Sequence, residues 1–269
     1  MPEGDTIFRT AQTLQRALAG RVVTRFESAL PALTRVDEDA PIAGRTVVAV
    51  RSLGKHLLVE FSGGLALRTH MRMNGTWHIY RPAERWQRPR VAMRVVIETD
   101  EWVAVGFNVP VAEFLRTRDL ARHHELARLG PDLLADEFDE QAITARLRTI
   151  GGGRPVGDAL LDQRIMAGVG NVYKSEALFV CGIEPWKAVS ALSDEQASYL
   201  VRTSRDLLKA NVAPTARGAR RTTRALNPES RLWVYGRGGR PCRRCGTPIA
   251  CEARGESARL TYWCPKCQT

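Results

Sequence analysis

Four cysteines near the end of the chain, Cys242, Cys245, Cys264 and Cys267, are spaced C-x2-C-x18-C-x2-C. Each C-x2-C knuckle offers two thiolates on one tight turn, and two knuckles complete a tetrahedral sulfur shell. That spacing suits zinc in a reducing compartment better than a secreted disulfide framework. Four sulfurs leave no open position for water, so the expected zinc is structural and not catalytic. It would let residues 236–269, too few to hold a core of their own, fold as a rigid hairpin. This segment carries seven Lys/Arg against two Asp/Glu, which suits reaching into a DNA groove. The other two cysteines, Cys181 and Cys251, have no paired spacing. Cys181 follows the apolar run "EALFV" and reads as a small buried hydrophobe.

The remaining 235 or so residues can bury a good core, and length alone suggests about two domains. Forty Lys+Arg against 29 Asp+Glu leave a net charge of +11, which points to a polyanionic partner, nucleic acid before acidic membrane. No stretch approaches the roughly 18 apolar residues of a membrane-spanning helix, and the start lacks the layout of a signal peptide. The expected protein is soluble and cytoplasmic, with no membrane partner.

The chain changes texture along its length. In "DTIFRTAQTLQRALAG", Ile7, Ala11, Leu14 and Leu18 form one apolar helical face, with Gly20 placed to end the helix. Seven short β-branched runs follow, from "RVVTRF" to "WVAVGF", and Gly63-Gly64 reads as a hairpin turn. So many runs predict a β-sandwich or barrel. After "RLGPDLL" (128–134) the pattern turns helical: "DEQAITARLRTI", "NVYKSEALFV" and "SDEQASYLVRTSRDLLKANVA", the last with Ser193 and Gln196 spaced as a capping box. The expected class is α+β multidomain, divided at 1–118, 119–235 and 236–269.

Three further stretches carry chemistry. "MPEGDTIFR" opens the chain, and an initiator Met before Pro is readily trimmed. Pro2 would then be a free secondary amine beside Glu3, and an α-amino group with a pKa of roughly 7.7–8.0 is partly unprotonated near neutral pH. "AGVGNVYKSE" (167–176) places a glycine-bearing turn before a helix, where Asn171 can cap and exposed N–H groups attract an anion. Between 201 and 224 there are seven Lys/Arg and one Asp, which favours phosphate binding over simple helix packing. In "THMRMNG" (69–75), Met71 reads as core, whereas Arg72, Met73 and Asn74 before a turn glycine could enter a base stack. Lys55 in "LGKH" is an ordinary solvated turn lysine unless it converges with Pro2.

MPEG at the start, Lys55 at a strand turn, GVGNVYxSEAL and the closing four cysteines, in that order, resemble the formamidopyrimidine-DNA glycosylase/endonuclease VIII family of base-excision repair enzymes, closer to the endonuclease VIII branch. The resemblance covers nearly the whole chain. It implies an N-terminal β-sandwich domain with an N-terminal helix, a helix-two-turn-helix domain and a zinc-finger hairpin. It also implies a monomer that acts on damaged DNA, nucleoid-associated if bacterial. Pro2 would attack C1′ of a damaged nucleoside and form a Schiff base, with β- and δ-elimination cutting the strand. An iminium acidifies the sugar's C2′ proton, so no organic cofactor is needed. Glu3 would be the acid/base partner and Lys55 a phosphate ligand and proton donor. Arg72, Met73 and Asn74 would fill the gap left by the extruded nucleotide. Arg128, Asn171 and Arg259 would hold phosphates, Arg259 with a part in δ-elimination.

There are departures from the family pattern. Thr6 stands where the family usually has a glutamate. The guanine-oxidising branch's D-P-R-x-F-G stretch is replaced by "GFNVPVAEF" (106–114), and its base-capping loop by "ARRTTRALNPESRLW" (219–233). Both losses favour oxidised pyrimidines over 8-oxoguanine, and a weaker grip on the second strand would permit single-stranded substrates. The alternatives are an oxidised-purine glycosylase and a non-catalytic zinc protein that binds bent or nicked DNA.

Overall fold

The computed structural model describes residues 2–269 except 215, 217, 224, 226 and 257. Two positions in "ARRTTRALNPESRLW", Arg224 and Leu226, therefore lie outside the described residues, as does Arg217. The chain divides into two compact units, Met1–Ala127 and Arg128–Thr269.

The first unit begins with α1 (Gly4–Leu18). Its apolar stripe Ile7, Ala11, Leu14 and Leu18 is buried, and the helix ends two residues before Gly20, which takes φ +78°. Then come β1 (Arg25–Ser28), α2 (Pro31–Asp39), β2 (Val47–Leu53), β3 (His56–Phe61), β4 (Leu65–His70), β5 (Thr76–Tyr80), β6 (Met93–Glu98), β7 (Val103–Phe107) and β8 (Val111–Arg116). These form two four-stranded antiparallel sheets ordered β1-β6-β7-β5 and β2-β3-β4-β8, so a sandwich is observed and not a barrel. Their inner faces pack Val59, Phe61, Leu67, Trp77, Val95 and Ile97 with the buried face of α1. Burial of such side chains stabilises by about 1.5–3 kcal/mol each. Gly63 and Gly64 complete the three-residue β3–β4 turn that Ser62 begins, at φ +80° and +72°, left-handed conformations open to glycine at no steric cost.

Two elements were not expected from the sequence pattern. Helix α2 buries only Leu33, so its periodicity is faint. Strand β8 carries Glu113 opposite Arg68 of β4, and a charged strand residue is legible only once its cross-strand partner is known.

The second unit holds α3 (Glu140–Gly151), a short α4 (Val156–Ala159), α5 (Asn171–Cys181), α6 (Asp194–Val212) and the hairpin β9 (Ala250–Ala253) with β10 (Leu260–Trp263). The capping box on α6 is present: Ser193 Oγ accepts from the Gln196 N–H and Gln196 Oε1 from the Ser193 N–H. Helix α5 is buried on every side from Asn171 to Phe179, the mark of a central helix. At its end Cys181 is half-buried and not fully so, and burial pushes its thiol up to about 11.

Candidate functional site

In the first unit, Gln15 of α1 accepts from the Val50 N–H of β2, and the Gly20 N–H donates to the Val47 carbonyl. The helix therefore runs antiparallel to the strand. From Gln15 back to Glu3 is about 18 Å at 1.5 Å per residue, and from Val50 forward to Lys55 about 16 Å at 3.3 Å per residue. The geometry carries Pro2 and Glu3 level with the β2–β3 turn that holds Lys55. Glu3 is fully buried. Its backbone carbonyl accepts from Thr6 and Ile7 as the helix starts. Lys55 is half-buried and follows Gly54 at φ +56°. Thr6 lines a cavity of about 380 Å3 together with Arg9, Thr10, Thr13, Leu14, Trp77 and Ile79.

The turn from β4 to β5 is tight. The Gly75 N–H donates to the Met71 carbonyl at 2.9 Å, and a Cβ on Gly75 would lie 2.7 Å from that oxygen. Arg72 takes φ +48°, a left-handed conformation that costs a non-glycine residue of order 1 kcal/mol or more and is held by its surroundings. Its N–H donates to His70 Nδ1 at 3.0 Å. Met71 is buried in the core, as expected, while Met73 is 56% exposed and flanked by exposed Arg72 and Asn74.

Behind these turns lies a polar cluster that the motifs did not reveal. Arg68, 2% exposed, forms ion pairs with Glu113 and Glu125 and donates to His56 Nδ1 at 3.2 Å. His56 directly follows Lys55, pairs with His70 in the β3–β4 register, and meets its ring edge-on at 4.9 Å between centroids. Burial and then the Arg68 charge lower the His56 pKa to about 2, while burial and the nearby Arg72 and Lys55 charges lower His70 to about 4. Both rings are neutral at pH 7. The available signal was polar residues at alternate positions of otherwise apolar strands: His56 in "HLLVEF", and Arg68 and His70 in "LALRTH".

In the second unit, β10 runs beside the start of α5. Asn171 Nδ2 donates to the Leu260 carbonyl at 2.8 Å, and Lys174 Nζ to Thr261 Oγ1 at 2.7 Å. Asn171 is thus the first helical residue and not the cap, which is Gly170. One N–H of its side-chain amide goes to the hairpin, so Asn171 and Arg259, the residue before Leu260, become neighbours. The hairpin tip is fastened by Arg154, which donates to both carboxylate oxygens of Glu256 at 3.0 and 2.8 Å, and by the Glu256 N–H on Asp158. Arg128 is exposed. It lies two residues before Gly130, whose N–H donates to the Gln163 carbonyl. Gln163 then braces the loop ahead of α5 through the Gly168 N–H and the Val169 carbonyl.

Glu176 of α5 is the other residue that sequence reasoning missed. Its wholly buried carboxylate accepts from the N–H groups of Trp233, Val234 and Tyr235 at 2.7–2.8 Å and from the Thr222 hydroxyl. It ties the central helix to the chain that enters the cysteine module.

The four cysteine sulfurs lie within 4.8 Å of one another. Cys242 and Cys264 are buried, and the module has its own small core of Phe179, Val234 and Ile249. Thr247 hydrogen bonds hold the Cys245 thiol down to about 6, while burial pushes Cys267 up to about 12. An all-sulfur set at this spacing fits one tetrahedral zinc ion.

Family models match along the chain: the formamidopyrimidine-DNA glycosylase N-terminal domain over 1–145, its H2TH domain over 129–223, and the zinc finger found in that glycosylase and isoleucyl-tRNA synthetase over 239–269. The chain belongs to the formamidopyrimidine-DNA glycosylase/endonuclease VIII family. Among its relatives, "Probable endonuclease 8 2" of Streptomyces coelicolor is 43% identical, covering all of this chain and 94% of that protein. "DNA-(apurinic or apyrimidinic site) lyase Nei2" of Mycolicibacterium smegmatis is 41% identical over 100% and 99%, and "Endonuclease 8" of Escherichia coli 32% over the whole of both. The fold matches that of Lactococcus lactis formamidopyrimidine-DNA glycosylase, crystallised with DNA containing an abasic site, at a TM-score of 0.84 and 22% identity over both full chains.

Proposed function

We propose that this protein is a bifunctional DNA glycosylase and AP lyase that removes oxidised pyrimidines. The observation that carries the reading is the antiparallel packing of α1 on β2, which brings Pro2 and Glu3 level with Lys55. After removal of Met1, the Pro2 nitrogen attacks C1′ and the C1′–N bond to the base breaks, its electrons leaving with the base. The amine proton is lost and the sugar ring opens, so that Pro2 is bound as an iminium. That cation takes up the electrons freed when the C2′ proton leaves, and expulsion of the 3′ and then the 5′ phosphate cuts the strand. Glu3 serves proton transfer to the departing base and opening sugar, Lys55 holds phosphate and donates a proton in elimination, and Thr6 offers a hydroxyl where the family has a carboxylate.

Met73, with Arg72 and Asn74, fills the space of the extruded nucleotide, which suits an exposed apolar side chain on a strained, braced turn. Asn171, Arg259 and Arg128 hold phosphates, and Arg259 also assists δ-elimination. Zinc on Cys242, Cys245, Cys264 and Cys267 keeps the hairpin rigid. Preference for pyrimidines over 8-oxoguanine rests on the stretches 106–114 and 219–233. In the second of these, Thr222 is committed to Glu176.

Borohydride trapping on duplexes with an abasic site or 5-hydroxyuracil tests the reading, followed by mass spectrometry of the N-terminal peptide. A reduced adduct on Pro2 is expected with both substrates. DNA binding without any adduct or strand cut would leave only a non-catalytic binder. Glu3→Gln is expected to abolish base excision while sparing much cleavage at preformed abasic sites; equal loss of both would refute its assigned role.

A further inference from the structure

Strands β5 and β6 both flank β7 and run parallel to each other, so residues 81–92 must cross the whole sheet between them. Tyr80 lies opposite Val103 at one edge, whereas Met93 lies opposite Phe107, and Phe107 opposite Thr76, at the other. The crossing strap covers an outer apolar patch. Trp86 stacks on Tyr80 at 6.4 Å and meets Phe107 edge-on at 5.6 Å, and the Gln87 N–H donates to the Tyr80 hydroxyl. Anchored there, the strap returns to the end of the sheet at which β5 begins and delivers Arg88, Pro89, Arg90 and Val91 to its β1–β6 side, where Arg90 meets Glu27 of β1. The Asn108 N–H donates to the Ala92 carbonyl at 2.7 Å, so this rim adjoins the stretch 106–114 that lacks an arginine.

The rim is built for contact. Val91 is 83% exposed. Among the described residues Arg88 has no ion pair, and Arg90 has one, to half-buried Glu27 of β1, which also pairs with Arg25. Two strand spacings, roughly 10 Å, separate β6 from β5 and its Met73 turn. Lys55 belongs to the other sheet, reached through β4. The Met73 turn thus stands between two cationic sites, Lys55 on one sheet and the rim on the other. A side chain that enters a base stack has one phosphodiester backbone on either side.

We propose that Arg88, Arg90 and Val91 grip the backbone of the undamaged strand of duplex DNA. This deepens the reading that the protein repairs DNA with Met73 in the stack. Arg90 would exchange Glu27 for a phosphate, while Val91 lies against the sugars.

The test is the salt dependence of binding of R88A/R90A and wild type to an abasic-site duplex and to the same single strand. Each lost phosphate contact lowers the slope of log K against log salt by about 0.9. On duplex the slope should fall by about 1.8, so that the wild-type advantage shrinks about tenfold between 50 and 200 mM salt. Single-strand binding should be unchanged. E27Q, which frees Arg90, should tighten duplex binding. Thermal melting confirms that the variants are folded, as expected with Trp86 anchoring the strap. An unchanged duplex slope, or an equal loss on single strands, overturns the proposal. Failure of wild type to cleave the abasic site would refute the catalytic reading instead and leave the duplex-to-single-strand comparison intact.

Discussion

Replacing Glu176 with glutamine changes one atom in a site where every neighbour donates. Oε1 accepts from the Val234 and Tyr235 N–H groups, and Oε2 from the Trp233 N–H and the Thr222 hydroxyl. The amide oxygen of glutamine can keep the first pair. The amide nitrogen would face the Trp233 N–H, donor against donor, although Thr222 can rotate to accept. One backbone N–H is left unpaired at about 1–3 kcal/mol, and the two surviving bonds lose charge assistance worth about 1 kcal/mol each. Against this, burial pushes the Glu176 carboxyl up in pKa, so neutralising it recovers part of the loss. The net cost is about 2–4 kcal/mol, which lowers Tm by roughly 5–12 °C for a cooperative unit of this size. Scanning calorimetry with a parallel zinc-release assay measures both the stability and the hold on the cysteine module. A Tm within about 2 °C of wild type, with zinc retained equally, would show that the carboxylate charge is not what holds residues 233–235.

Acid should destabilise the protein from an unusually high pH. His56 and His70 have folded pKa values lowered to about 2 and about 4 from 6.5, so the unfolded chain binds protons that the folded one refuses. Stability is therefore full above pH 6.5 and falls through pH 4 by up to about 1.4 kcal/mol per pH unit for each ring; urea titrations at pH 7.5, 6 and 5 should show this, and H56Q should flatten the slope. Arg68→Met strands Glu113 and Glu125, and because both carboxylates are more than a third exposed the expected cost is about 2 kcal/mol, below that of a fully buried pair. A melt unchanged by the substitution would mean that the cluster contributes no stability. Zinc removal by chelation, or Cys242→Ser, should weaken DNA binding, since Asn171 and Arg259 are aligned through β10; undiminished binding by the zinc-free protein would break that link.

Much of this protein was legible in order along the chain, because the signals are local. The stripe Ile7-Ala11-Leu14-Leu18, the Gly63-Gly64 turn and the capping box at Ser193 each act over a few residues, and a short span of sequence contains their whole cause. The cysteine spacing likewise determines its own ligand set. Pro2, Glu3, Lys55 and the Met73 turn could be named as candidates on residue type and motif order. What pattern alone did not contain was the packing that sets the start of α1 level with the β2–β3 turn.

Such placements depend on contacts between residues far apart in the chain. Lys55 comes level with Pro2 because Gln15 is tied to Val50, and Arg259 reaches Asn171 because a side-chain amide binds the Leu260 carbonyl. Glu176 looked like one polar residue in an apolar helix, and Arg68 like one charge in a strand, until folding brought donors to the first and carboxylates to the second. A buried charge is tolerated only with its partners in place. Local pattern carried most of the elements, the zinc ligands and the chemical groups on offer; which of those groups meet was settled in three dimensions, because a hydrogen bond or ion pair between distant residues leaves no periodicity in the chain.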